Sequence, residues 1–418
     1  MSNTKVNYEE LNPYIPQNGN EENYALLTHF LMMQDGNLKE EKRNDLIQRF
    51  GFEEDKLHMA EEFYRRKEIP FTAQQNTNFT FIDLFAGIGG FRLAMQNCGG
   101  ECVFSSEWDD AAKQTYFENY GEVPFGDITK SEIKNLIPKK FDVLCAGFPC
   151  QPFSYSGQKK GFADKAKGTL FFDICEILKK HKPQAFFLEN VKGLVSHEKG
   201  KTIETIRNIL QNELGYDIHE EILCSLDFGL PQKRERWYCV GFKTPTQFSF
   251  PKGEKKIVTL RSIIDLNNHD PALAIPKFEM DRIKYHFDHA DEIRVKHDNS
   301  KYKPDTKKGK YGVYSFQKPD GSLRFHVGDP AKTQIQEAFY SCLDSYASTI
   351  IANRTPKLWD IGRKLSILEA KRLQGFPDNF KIPVSNVQGY KQLGNSVSVP
   401  VLNEISKEIY INLNLGDK

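Results

Sequence analysis

Cys150 stands between two prolines in Gly147-Phe148-Pro149-Cys150-Gln151-Pro152-Phe153-Ser154-Tyr155-Ser156-Gly157, directly after the apolar run FDVLCAG. A thiol at a strand end faces the cleft in which α/β proteins bind ligands, and flanking prolines keep its backbone from relaxing, so the position suits a nucleophile. A buried structural cysteine is the commoner fate of the residue, but two prolines, a Gln and two serines do not make a packed apolar site. A carboxylate, Glu189, follows the equally apolar AFFL and opens Glu189-Asn190-Val191. Burial there should raise its pKa and suit it to protonating a ring nitrogen, although a carboxylate that merely anchors the turn would look the same. A third cluster is Asp83-Leu84-Phe85-Ala86-Gly87-Ile88-Gly89-Gly90, followed twenty residues beyond Gly87 by Glu107-Trp108. The glycines let backbone approach a ligand, the carboxylate can accept hydrogen bonds from both ribose hydroxyls, and Trp108 can stack on a purine. An ordinary strand-to-helix turn competes for the loop taken alone. Its G-x-G-G spacing differs from the G-x-G-x-x-G of pyrophosphate binding, and no lysine serves a phosphate, so a nucleoside without phosphates fits better than a dinucleotide.

Two basic segments lie near these groups. Tyr155–Gly168 carries Gly157, Gly161 and Gly168 with Lys159, Lys160, Lys165 and Lys167 against Asp164, which suggests a lid over a polyanion. Pro231-Gln232-Lys233-Arg234-Glu235-Arg236 precedes WYCVGF and alone would be a charged surface turn.

The elements that must position these residues alternate. FTFIDLF, ECVFSSE, FDVLCAG and AFFLENV have strand character; FRLAMQNC, DDAAKQTYFENY, TLFFDICEILKK and TIETIRNILQNEL have helical spacing. That order predicts an α/β fold, a doubly wound, largely parallel sheet covered by helices on both faces, with ligands at the carboxyl ends of the strands. Before it, Asn23–Met33, Leu38–Phe50 and Lys56–Arg66 predict a small helical extension, and Thr72–Asn78 a linker. After Phe250 regularity fails until a helix pattern returns over 366–376, followed by a last helix near Ser396–Leu413.

Composition narrows the classes. The 418 residues carry 57 Lys plus Arg against 56 Asp plus Glu, a net charge of +1. Residues 1–80 hold nine basic and fourteen acidic side chains, which makes that end a poor candidate for wrapping DNA, whereas Asn299–Lys318 holds six Lys against one Asp. No apolar run approaches the roughly 18 residues of a membrane span, and the N-terminus lacks a signal-peptide pattern, so a cytoplasmic protein is expected. Eight scattered cysteines argue for reduced thiols, and their spacing with respect to histidine predicts no metal site.

With these pieces in order, the chain resembles the DNA (cytosine-5)-methyltransferases of bacterial type II restriction–modification systems. FIDLFAGIGGFRLA, Ser106–Trp108, GDIT at 126–129, GFPCQPFSYSG, GTLFFDI at 168–174, ENVKGL at 189–194, PQKRERWYCVGF, RLQGFPDNF at 372–380 and GYKQLGNSVSVPV at 389–401 look like the family's blocks in the family's order. The resemblance implies an S-adenosylmethionine-dependent methyltransferase fold with a mixed sheet and a smaller, irregular target-recognition domain. The implied divisions are 1–78 as helical extension and linker, 79–250 as catalytic and cofactor domain, 251–365 as target-recognition domain, and 366–418 as a recognition-domain helix and return to the catalytic domain. S-adenosylmethionine would be held by Phe85, Ala86, Gly87, Ile88, Gly89, Gly90, Glu107, Trp108, Asp127, Ile128, Pro149, Leu170, Asn395, Ser396 and Val397, with Asp127 at the adenine amino group. Cys150, Glu189 and Arg236 would be catalytic, and Gln151, Ser156 and Arg234 would contact DNA. Expected partners are double-stranded DNA and a cognate restriction endonuclease, with the chain a monomer. Gly362-Arg363-Lys364-Leu365-Ser366 departs mildly from the family's Arg-x-Leu-Thr, and residues 251–350 and 1–78 lie outside the shared blocks.

The chemistry of the residues agrees. Cytosine carbon 5 is too weak a nucleophile to take a methyl group directly, so the Cys150 thiolate would add to carbon 6 while Glu189 hydrogen-bonds nitrogen 3; carbon 5 then attacks the methyl, loses its proton, and elimination frees the cysteine. A stacked base cannot be reached this way, so it must be flipped out. Three rivals stand beside this reading. A nicotinamide oxidoreductase would share Glu107 but needs a phosphate-binding glycine pattern; a tRNA cytosine methyltransferase would share the catalytic blocks; a DNA-binding regulator with a decayed core would not have kept Cys150, Glu189 and Gly87 together.

Overall fold

The computed structural model describes residues 8–17, 19–32, 40–72, 76–149, 170–254, 258–288, 295–298, 312–317, 323–328, 336–337, 340–352 and 354–413. Cys150, Gln151, Ser156, the rest of the loop to Gly168 and much of the basic tract 299–318 lie outside them.

The chain forms two units. The first comprises Met1–Cys224, Glu235–Gly253 and Asn379–Lys418; the second comprises Ser225–Arg234 and Glu254–Asp378.

In the first unit, three helices, α1 (Glu21–Met32), α2 (Glu40–Phe50) and α3 (Glu54–Arg66), precede β1 (Phe79–Leu84), α4 (Gly90–Asn97), β2 (Gly100–Ser106), α5 (Asp110–Tyr120), β3 (Val143–Gly147), α6 (Leu170–His181), β4 (Ala185–Val191), α7 (Lys201–Asn208), β5 (Asp217–Cys224) and β6 (Glu235–Phe242). The sheet order is β2-β1-β3-β4-β6-β5. The first four strands are parallel, and β6 runs antiparallel between β4 and β5. Sandwiched strands are buried on both faces, so AFFL in β4 is continuously apolar rather than alternating. The chain closes with α8 (Ile367–Leu373) in the second unit, then α9 (Asn386–Asn395) and α10 (Val399–Asn412) in the first. α10 packs beside α4, where Asn97 Nδ2 donates to Asn403 Oδ1 at 3.2 Å and Phe79 stacks on Tyr410.

The N-terminal helices share a core with the sheet. Leu26, Leu27, Leu31, Leu46 and Leu57 are buried in one cluster with Ile82, Phe104, Phe117 and Phe125, and Tyr8 meets Phe117 edge to face. Their amphipathic spacing revealed a buried face; it did not reveal that the sheet is what covers it. The sequence pattern does not mark α9 as a separate helix, because Gly389 and Gly394 weaken it.

In the second unit, Ser366 caps α8 and Glu369 returns the bond to the Ser366 N–H, a complete capping box. Buried Arg363 forks onto Glu369 at 2.7 and 2.8 Å. Serine thus performs the capping that a threonine would at this departure from the family pattern.

Candidate active site

The loop after β1 is shaped by left-handed backbone at Phe85, Gly87 and Gly89, with φ of 55°, 56° and 85°. A side chain at Gly87 would meet nothing within 4 Å, so there the glycine serves conformation and open access. At Gly89 a Cβ would fall 2.3 Å from the Tyr120 ring, whose hydroxyl donates to the Gly89 carbonyl at 2.6 Å. Ala86 and Ile88 are buried, and Gly90 starts α4.

Glu107 follows β2 and is 8% exposed. Its Oε2 accepts from the Gly87 N–H at 2.8 Å, and its Oε1 from the N–H groups of Trp108 and Asp109, both at 2.8 Å. Burial pushes the carboxyl up from its ordinary pKa, opposed by those three N–H bonds. Three donors leave lone-pair capacity on a group with about four acceptor positions. Beside it Trp108 is 78% exposed, an open aromatic face in a place where large apolar side chains are usually covered. These features fit a nucleoside. Asp127 is half-buried, one oxygen accepting from the Thr129 N–H at 3.0 Å, and Ile128 is buried behind it.

α9 is tied to the same region. Lys391 Nζ lies 2.8 Å from Asp109 Oδ2, and Gln392 accepts from the Thr115 hydroxyl and donates to the Ala111 carbonyl. Burial raises the Asp109 pKa, but the Lys391 ammonium and the Ala112 N–H outweigh it and hold the carboxyl below its ordinary value. These bonds set the end of the helix that carries Asn395, followed by Ser396 and Val397, of which Val397 is buried and Asn395 exposed.

At the ends of β3 and β4, Gly147 pairs in register with Glu189. Glu189 Oε1 lies 3.1 Å from Arg236 Nε, the two side chains 10% and 12% exposed. Asn190 Nδ2 donates to the Phe148 carbonyl at 2.9 Å, while its Oδ1 accepts from the Val191 N–H at 2.8 Å. Asn190 therefore clamps the backbone two residues before Cys150. Pro149 is exposed, and Leu170 opens α6 half-buried.

The strand ends thus bring together the glycine loop, Glu107, Trp108, Asp127, Glu189 and Arg236. Arg234, expected at DNA, is 3% exposed and donates to the Ile350 carbonyl at 3.1 Å within the second unit. Sequence reasoning gave no role to Asn190, although it sits in the ENV triplet, or to Asp109 and Lys391. Asp109 carried a legible signal as a helix N-cap, since its side chain accepts from the Ala112 N–H.

Sheet, glycine loop and strand-end carboxylates define an α/β enzyme of the methyltransferase type. Residues 79–411 match the C-5 cytosine-specific DNA methylases, and the chain belongs to that family, a DNA (cytosine-5-)-methyltransferase. It is 44% identical over 357 residues to the type II methyltransferase M.HpaII of Haemophilus parainfluenzae, spanning 83% of this chain and 95% of that one. M.HhaI of Haemophilus parahaemolyticus is 39% identical over 351 residues, 82% and 97% of the two chains. Among solved structures, the S. pombe Dnmt2 methyltransferase shares the fold with a TM-score of 0.54 at 18% identity, covering 78% of this chain and 96% of that one.

Proposed function

We propose that this enzyme transfers the methyl group of S-adenosylmethionine to carbon 5 of a flipped-out cytosine at a specific sequence in double-stranded DNA, through a covalent Cys150 adduct, and so protects host DNA from a cognate restriction enzyme. The observation that carries this reading is the juxtaposition at the ends of β3 and β4. There the Glu189–Arg236 pair stands beside Gly147, and Asn190 fixes the Phe148 carbonyl just before Cys150.

Glu107 would hold the ribose, Trp108 the adenine face and Asp127 the adenine amino group, with Gly87 leaving the space. Bound there, S-adenosylmethionine supplies an electrophilic methyl group. The chain's own residues prepare the other reactant. Glu189 hydrogen-bonds cytosine nitrogen 3 and Arg236 orients Glu189 and the base, which lowers the electron density at carbon 6 and lets the Cys150 thiolate add there. Extrusion of the base costs a few kcal/mol, offset by phosphate contacts.

The second unit is assigned to target recognition, because it contains most of the interval outside the catalytic blocks. No helix among the described residues is long and apolar enough to cross a membrane. The test is bisulfite sequencing of DNA from cells expressing the chain. Protected cytosines confined to one short sequence are expected; an unmodified pattern, with methyl transfer to tRNA instead, would overturn the proposal.

A further inference from the structure

β2 is the edge strand of the six-stranded sheet, so a row of its backbone groups has no strand partner. Two pieces of chain cover that row. The segment after α5 does part of the work: Phe125 N–H donates to the Ser105 carbonyl at 2.9 Å, and Glu107 N–H to the Phe125 carbonyl at 2.8 Å. α1 adds side-chain acceptors to β2 at Ser105 and to that segment at Val123 and Gly126. Ser105 N–H donates to His29 Nε2 at 3.2 Å, Val123 N–H to Thr28 Oγ1 at 2.9 Å, and Gly126 N–H to Glu22 Oε2 at 3.2 Å.

The imidazole is suited to accept. His29 Nδ1 donates to the Ala25 carbonyl at 2.9 Å, which leaves Nε2 as the acceptor of the neutral ring. Burial lowers its pKa; Glu122 lies 3.3 Å away, but both oxygens of that carboxylate are taken by Arg92. The ring also packs on Phe125, with centroids 4.7 Å apart, and Phe125 stacks on Phe104. Glu22 covers Gly126 so closely that a Cβ there would fall 2.8 Å from its Oε1.

Two of the three N–H groups adjoin residues assigned to the adenosyl site. Ser105 lies two residues before Glu107, and Gly126 immediately before Asp127. We propose that α1 is a positioning element of the cofactor site, in which Glu22 and His29 hold the end of β2 and the segment before Asp127 at the separation that one adenosine requires. Residues 1–78 precede the segment matched to the family, so this role belongs to the chain's own extension. The inference rests on the assignment of Glu107 and Asp127 to S-adenosylmethionine made above.

Glu22 is only half-buried, and its replacement need not unfold the chain. Calorimetry with S-adenosylmethionine on the full-length parent, Glu22→Ala and Glu22→Gln, with steady-state kinetics and target-DNA affinity, tests the proposal. Glu22→Ala should raise the cofactor Kd and KM about three- to tenfold, the range for one lost hydrogen bond. Its kcat at saturating cofactor and its DNA affinity should stay at parental values. Glu22→Gln should restore most of the cofactor affinity, because the amide oxygen still accepts the Gly126 N–H. Unchanged cofactor affinity in Glu22→Ala would overturn the role. So would a loss that Gln does not repair, or one accompanied by equal weakening of DNA binding or of kcat. A parent chain that binds no S-adenosylmethionine would overturn the functional assignment itself, whereas equal binding by parent and Glu22→Ala removes only the bracing role.

Discussion

Replacing Cys150 by Ala should abolish methyl transfer and leave cofactor binding intact, since the thiol is assigned to cytosine carbon 6 and not to the adenosyl group; turnover by the variant at even a few per cent of the parental rate would remove it as the nucleophile. Glu107→Ala should weaken S-adenosylmethionine binding by roughly 1.5–3 kcal/mol, the range for hydrogen bonds to a charged group, and calorimetry reads that directly. Asp83 offers a pH test. Burial pushes its carboxyl up to about 8, with the Arg92 guanidinium and N–H offsetting it only in part; neither oxygen makes a hydrogen bond of ordinary geometry. A group whose folded pKa is raised gives stability that is full below its unfolded value and declines as pH rises through the folded one. Melting of Asp83→Asn should therefore improve relative to the parent between pH 5 and pH 9, and a constant difference across that window would contradict the assignment. That Glu107 and Glu189 stand buried at strand ends was legible, because each closes an apolar run. Asn190 and Lys391 were not, since their work is to bond backbone or a partner far away in sequence, which spacing does not record.

At the scale of elements, the helices α1 to α3 behave as part of the catalytic unit. Leu27 is fully buried in the core they share with the sheet, so Leu27→Ala should cost about 2–5 kcal/mol of unfolding free energy for the unit. Urea denaturation followed by tryptophan fluorescence checks this, and an unchanged midpoint would mean that the extension folds apart from the sheet. Periodicity made the helices legible to within a few residues and β4 to its ends. It could not show that His29 on α1 meets the open edge of β2, or that Thr28 and Glu22 meet the segment after α5. Polar residues on a buried helical face look like interruptions until the unpaired N–H groups opposite them are known.

At the scale of the whole molecule, chemistry and sequence reading are assigned to different parts of the chain. Exchanging residues 251–350 for the corresponding interval of a relative should move the methylated sequence and leave the turnover in place, because base contacts specify while phosphate contacts position; an active chimera that keeps the parental site would place recognition elsewhere. This interval was the least legible part of the chain, lacking both sustained periodicity and a shared block, and a surface proposed to read DNA would answer to DNA rather than to a packed core. The central claim is that Cys150 attacks the target cytosine, and covalent trapping tests it most directly. A duplex with 5-fluorocytosine at the target, incubated with the parent chain and S-adenosylmethionine, cannot lose its carbon-5 substituent as a proton after methyl transfer. The account predicts a stable protein–DNA adduct that requires S-adenosylmethionine and that peptide mass spectrometry locates at Cys150. An adduct on another cysteine, or full methylation of ordinary duplex by a chain that never forms the adduct, would contradict it.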